Sequence, residues 1–328
     1  MRRLLFLLLI AAVAAAAYIV LTPFGPSHQV FVDIPPGTRT AQIAALLQRN
    51  GIIRSQLAFD VMHKFEDGTL KAGEYSFDHP AKLDEVYQRL VRGDVYTISV
   101  TIPEGSNLFD IAQRLQDAGF GPKAAFLAAA HANVSLISDL DPQATSLEGY
   151  LFPDTYQFSR DASPTEIQEA MVHRFRQVAK EIGLDGDDHR IVTLASLVER
   201  ETPIPSERPL VASVFVNRLA KDMPLMTDPS VIYASLLAGD YRGAIYESDL
   251  QSDSPYNTYK HTGLPPGPIC SPGVVSLKAA MHPAQTDYLY FVAASADPSG
   301  KSRFSATLTQ HAQDVSAYRK SLREARSQ

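Results

Sequence analysis

His189 to Thr202, HRIVTLASLVERET, reads as a single helix that ends in acidic residues, and its reading decides what kind of domain fills the C-terminal half. At 3.6 residues per turn Val192, Ala195, Ser196 and Glu199 share one side, the i, i+3, i+4, i+7 set of a core-facing helix. Glu201, two residues on, falls roughly 200° further round and is expected to point elsewhere. Pro203 and Pro205 stop the helix, because proline lacks the amide donor and disfavours helical geometry in the residue before it. Glu199 therefore lies in a last turn, where the helix dipole and desolvation both disfavour its ionised form, as a general acid requires. Read alone, a glutamate so placed is more commonly a snorkelling or salt-bridged residue, and the neighbouring sequence has to decide between the two readings.

Downstream, Leu210 to Lys221 keeps a helical apolar period, with Asn217 and Arg218 as polar interruptions. Met226-Thr227-Asp228-Pro229-Ser230 reads as a turn opening another helix, in which Asp228 is either the N-cap or a second active-site acid. Ser254 to Tyr259, Gly263 to Ile269 and Ser271 to Gly273 form a long loop stiffened by five prolines. A stiff loop presents polar groups at lowered entropic cost, so Tyr256, Asn257 and Tyr259 are candidate ligands for a substrate, or else packing and turn residues. Tyr288 to Ala293 reads as a strand with a partner at Arg303 to Ala306, and a charged helix follows from Thr309. Upstream, LEGYLFPDTY (147–156) gathers aromatic rings and carboxylates. Rings such as Tyr150 stack on pyranose faces and carboxylates such as Glu148 accept hydroxyl hydrogen bonds, although an ordered structural loop has the same composition. Ser163-Pro-Thr-Glu166 has the form of a capped helix start, leading into an amphipathic helix to about Ile182.

The N-terminus is Met1-Arg2-Arg3 followed by an uncharged run from Leu4 to Leu21, long enough for a bilayer's hydrocarbon core. The arginines before it place the N-terminus in the cytoplasm and the bulk outside. The alternative is a cleaved signal peptide, for which the apolar run is long. Beyond it, Ile34-Pro-Pro-Gly37 with Ile43, Ala44, Leu47, Gln48 and Gly51 recurs 68 residues later as Ile102-Pro-Glu-Gly105 with Ile111, Ala112, Leu115, Gln116 and Gly119. Each copy reads strand, turn, helix, glycine stop, so two small α/β lobes are expected, at 28–96 and 97–145; the first, with its strand at Val30 to Ile34 and a second helix at Leu83 to Val91, resembles a LysM-like module, or is a spacer or interaction lobe. With a cytoplasmic tip and membrane helix at 1–24 and a mainly helical domain with a small sheet at 146–328, the fold class is α+β. A net charge of −6 with interspersed signs leaves no basic stripe for nucleic acid, and the single cysteine, Cys270, excludes an intramolecular disulfide. The histidines lack ligand spacing for a metal.

Taken together, LEGYLFPDTY (147–156), LASLVERET (194–202), Thr227-Asp228-Pro229, YNTY (256–259), GLPPGPI (263–269) and His282-Pro283 with YLYFV (288–292) closely resemble the YceG-like family, the endolytic murein transglycosylases of the bacterial inner membrane. The resemblance covers nearly the whole chain. It implies cleavage of β-1,4 bonds between N-acetylmuramic acid and N-acetylglucosamine in nascent peptidoglycan strands, with Glu199 catalytic and no metal or cofactor. Glu148, Tyr150, Asp228, Tyr256, Asn257 and Tyr259 are then expected on the substrate side, and peptidoglycan synthases are plausible partners. Met226 departs from the glutamine that many members carry at this position. Two other classes stay open: a muramidase in which Glu148 or Asp228 activates water, and a non-catalytic glycan-binding scaffold.

Overall fold

The computed structural model describes residues 2–326 apart from 185, 187, 298 and 299. The chain divides into two compact units, Met1–Ile98 with Gln157–Asp161, and Ser99–Tyr156 with Ala162–Gln328.

The first unit opens with α1 (Arg2–Leu21), a helix of mean hydropathy 2.9 with none of its apolar window buried. Its length and composition suit either a membrane span or a signal sequence. Then come β1 (Val30–Ile34), α2 (Thr40–Arg49), α3 (Gln56–Glu66), β2 (Gly73–Phe77) and α4 (Leu83–Arg92). β1 and β2 pair antiparallel, from Val30 opposite Phe77 to Ile34 opposite Gly73. The period-2 alternation turns Val32, Ile34, Tyr75 and Phe77 inward, and the helices close over them with Ile43, Leu47, Phe59, Val86 and Leu90. The sequence reading foresaw β1, α2 and α4 but not α3, whose apolar residues Leu57, Phe59, Val61, Met62 and Phe65 do not share one face.

The second copy of the repeat takes the same order: β3 (Ile98–Thr101), α5 (Leu108–Asp117), α6 (Lys123–Ala132) and β4 (Thr155–Phe158), with β3 paired to β4. From Ser99 to Tyr156 this copy belongs to the second compact unit, into which its turn is hydrogen-bonded. Ser271 is hydrogen-bonded to both Gly105 and Ser106, its carbonyl accepting from the Gly105 amide and its amide donating to the Ser106 carbonyl, each at 2.9 Å. α7 (Pro164–Ile182) starts at the expected Ser163 cap, with the Glu166 carboxylate returning to the Ser163 amide at 2.8 Å. α8 (Asp188–Glu201), α9 (Arg208–Leu219), α10 (Asp228–Ala238), the short α11 (Glu247–Leu250) and α12 (Val274–Met281) follow. β5 (Tyr290–Ala293) and β6 (Ser302–Ser305) form an antiparallel hairpin on which α13 (Leu308–Arg326) packs. α8 is the centre of this unit: every residue from Val192 to Val198 is buried, against α9, α10 and α12.

Glu148 ties the unit together. Its Oε2 accepts from the Leu108 amide, at the start of α5, and from the Tyr233 hydroxyl of α10, both at 2.9 Å. Burial pushes its carboxyl up to about 7, against the opposing pull of these donors. With the folded value above the ordinary 4.5, this group's contribution is fully present below pH 4.5 and is lost as pH rises to about 7. Glu148→Gln is therefore expected to gain on wild type by about 3 kcal/mol between pH 4.5 and pH 8, measured by denaturant unfolding at each pH.

Candidate active site

The last turn of α8 carries two glutamates that meet different surroundings. Glu199, its side chain only 5% exposed, accepts from Nη2 of Arg208 at 2.7 Å and from the Gly273 amide at 3.0 Å. Gly273 is the N-cap of α12, so this carboxylate also sits at the positive end of a helix. Arg208 is equally buried and lies 3.5 Å from Glu104. Glu104 comes from the turn of the second repeat, at the one position of that four-residue turn where the copies differ, the first having Pro36. A Cβ on Gly273 would lie 1.9 Å from the Glu104 carboxylate, so a larger residue there would push that carboxylate aside. Both oxygens of Glu199 are thus taken by protein donors.

Glu201 faces a cavity of about 430 Å³ lined also by Phe215, Arg218, Leu225, Met226, Asp228, Tyr259, Tyr290, Phe291, Leu308 and His311. Burial pushes its carboxyl up to about 7; the Thr227 hydroxyl opposes the shift, the charge of Asp228 adds to it and Arg218 opposes it. Arg218 is held by three backbone carbonyls, Leu289 at 2.7 Å, Leu225 at 2.8 Å and Pro224 at 3.2 Å, and lies over the Tyr290 ring. Its guanidinium thereby joins the turn after α9 to the start of β5. His311 stacks on the same Tyr290 ring at 5.0 Å, and burial together with Arg218 holds its imidazole below the usual value. Asp228, the first residue of α10 and exposed, accepts from the Tyr259 hydroxyl at 2.6 Å. Thr227, not Asp228, is the N-cap, and buried Thr258 pins this turn by accepting from the Thr227 amide at 3.0 Å. Met226 projects half-exposed from a left-handed backbone at φ 54°, a conformation few non-glycine residues adopt.

The profile of the YceG-like family matches residues 32–317. The chain belongs to the YceG-like family. An endolytic murein transglycosylase of Bacillus subtilis (strain 168) is 36% identical over 304 residues, covering 86% of this chain and 82% of that protein. One from Streptococcus pneumoniae (strain R6) is 31% identical over 80% of this chain, which spans only 54% of that longer protein. The crystal structure of a YceG-like protein from Listeria monocytogenes is 34% identical and superposes with a TM-score of 0.57, over 88% of this chain and 99% of that one.

Of the residues that sequence reading marked in this YceG-like chain, Asp228 and Tyr259 line the cavity and the others do not. Tyr150 is wholly buried, its hydroxyl donating to Asp141 at 2.9 Å, and its ring packs on Phe175. Asn257, equally buried, donates to the carbonyls of Leu250 and Ser252 at 3.0 and 2.7 Å and accepts from the Tyr259 amide. Glu148 is the internal tie already described, and Tyr256 stands edge-on to Tyr233 at 5.1 Å, with burial pushing its hydroxyl up to about 12. Glu148, Tyr150 and Asn257 are thus buried, Glu148 with its Oε1 lacking a hydrogen-bond partner among the described residues, and Tyr256 packs outside the cavity lining. Sequence reading passed over Glu201, Arg218, Tyr290 and His311. The signal for Glu201 was present, since the proline stop puts it in the same terminal turn as Glu199.

Two substitutions separate these roles. Arg208→Met leaves the buried Glu199 carboxylate without its cation and is expected to cost about 3 kcal/mol of unfolding free energy. Tyr150→Phe strips a hydrogen bond from buried Asp141 and is expected to cost about 1–3 kcal/mol by denaturant unfolding, with glycan cleavage by the folded variant unchanged.

Proposed function

We propose that this chain is an endolytic murein transglycosylase with Glu201, not Glu199, as its acid and base. The observation that carries the assignment is the pair of environments at the end of α8: Glu199 is engaged on both oxygens, whereas Glu201 opens on the cavity with a carboxyl pushed up to about 7. Such a group is protonated in a useful fraction at neutral pH and becomes a competent base once it has given up its proton.

In this reading Glu201 protonates the oxygen of the bond between N-acetylmuramic acid and N-acetylglucosamine. The C1–O bond breaks, and the positive charge at C1 is relieved by the substrate's own N-acetyl oxygen. The Glu201 carboxylate then takes the proton of the muramic C6 hydroxyl, whose oxygen attacks C1 and closes a 1,6-anhydro ring. No water is consumed. Intramolecular attack has a high effective concentration, so no nucleophilic side chain is required. A hydrolase needs a second carboxylate free to activate water. Asp228 is the carboxylate at hand, and one of its oxygens is occupied by the Tyr259 hydroxyl. Asp228 and Tyr259 would instead orient the sugar, with Met226 and Phe291 offering apolar wall to its ring faces.

We further propose that α1 is a single-pass anchor with a cytoplasmic N-terminus, so that both units face the periplasm and meet strands as peptidoglycan synthases extend them. The strand–helix–helix–strand order of the first unit supports reading it as a LysM-like glycan-holding lobe. Incubation of the enzyme with uncrosslinked strands and mass analysis of the products tests the chemistry. Glu201→Gln is expected to abolish 1,6-anhydro ends, while Glu199→Gln loses stability but cleaves when folded. Reducing ends in the wild-type products would establish hydrolysis, and cleavage by Glu201→Gln would return the role to Glu199. For the wild type, kcat/KM is expected to fall about tenfold per pH unit above pH ~7, as the acid is lost.

A further inference from the structure

Helix α3 presents an apolar stripe that nothing in the first unit covers. Leu57, Val61 and Phe65 recur every fourth residue and are 73%, 44% and 85% exposed. The opposite side of the helix carries Phe59, wholly buried, and Met62 against the core. Among the described residues outside α1, seven large apolar side chains are at least as exposed as Val61, and three of them stand on this one helix. An exposed apolar stripe of this kind marks a contact surface.

The same helix begins where α1 ends. Arg54 donates to the Thr22 carbonyl and hydroxyl at 2.9 and 2.7 Å and to the Pro23 carbonyl at 3.2 Å, and its guanidinium lies over the rings of Tyr18 and Phe24. The next residue, Ser55, caps α3. Val20 packs on the core of the unit, and Phe24 bridges to Ala81, so the end of α1 is fixed to the lobe rather than hung on a flexible stalk. A 20-residue helix spans about 30 Å, the hydrocarbon thickness of a bilayer, which puts Thr22 and the start of α3 at the level of the lipid headgroups. Arg54, Tyr18 and the exposed Lys64 are side chains suited to that level, where cations and amphipathic rings meet headgroups.

We propose that the Leu57–Val61–Phe65 face of α3 lies in the outer interfacial layer of the bilayer that α1 crosses, holding the first unit against the membrane. The occupant of the stripe is lipid, and the proposal rests on reading α1 as an anchor. It follows from continuity: a membrane helix rigidly joined to a lobe brings the adjoining apolar helix face to the surface it leaves.

The chain contains no tryptophan, so a single introduced one is the only indole reporter. Full-length Phe65→Trp, Leu57→Trp, Leu8→Trp and Leu237→Trp are each reconstituted in phosphatidylcholine–phosphatidylglycerol vesicles with plain or brominated acyl chains. The expected result is at least a twofold loss of emission with brominated lipid for Phe65→Trp, Leu57→Trp and Leu8→Trp, and none for Leu237→Trp, an exposed site on α10. Quenching at Leu8 without quenching at residues 57 and 65 would leave the anchor standing and overturn the interfacial placement, returning the stripe to a protein partner. No quenching at Leu8 would show that α1 is outside the bilayer and overturn both.

Discussion

The second unit depends on one buried ion pair. Arg208 and Glu199 meet at 2.7 Å with side chains 6% and 5% exposed, at the point where α8, α9 and the N-terminus of α12 converge. Charges so far from water are tolerated only when their remaining hydrogen-bonding groups find partners. Here the Gly273 amide takes the second oxygen of Glu199, while on Arg208 only Nη2 is hydrogen-bonded, Glu104 lying 3.5 Å from Nη1 and Nε having no partner among the described residues, so the pair is satisfied on the carboxylate side alone. Since α8 is buried on all sides from Val192 to Val198, its end has no freedom that this pair does not control. Glu201 follows within the same turn, and its direction is set by the same restraint.

Two carboxylates separated by one residue thereby acquire opposite characters. Glu199 is enclosed by donors and holds helices together. Glu201 has a single hydroxyl neighbour, Thr227, and a nearby like charge, Asp228, so desolvation governs its titration. The cavity wall around it is built by residues with structural duties of their own: Arg218 closes the turn before Met226, and Asn217, its neighbour, holds the Thr286 and Tyr288 carbonyls at 2.7 and 2.9 Å. The polar interruptions in α9 are the means by which the β5–β6 hairpin is brought to the acid.

Local signals in the sequence were read correctly where they were self-sufficient. The strand at Val30, the paired repeat, the Ser163 cap and the hairpin beginning near Tyr288 each rest on periodicity or turn chemistry within a few residues. α3 and α6 were not seen, because α3 carries apolar residues on more than one side and α6 is nearly all small apolar residues. The site was legible as a region but not as an assignment. The helical wheel separated Glu199 from Glu201, and the structure puts Glu201, not Glu199, on the cavity lining; on a helix buried all round, the apolar stripe does not tell which face adjoins solvent. Tyr150 and Asn257 are buried with internal partners: an aromatic ring or an amide in a rigid loop serves equally to recognise a sugar or to fasten the loop, and sequence does not show long-range partners such as Asp141.

Difference infrared spectroscopy of the wild type against Glu201→Gln, recorded from pH 5 to pH 9, follows the protonated-carboxyl stretch of this one residue. With Glu201 as the acid, a carboxylic-acid band is present at pH 6, missing from the variant, and titrates near pH 7. Absence of that band at pH 6, with Glu201 already ionised, would contradict that role.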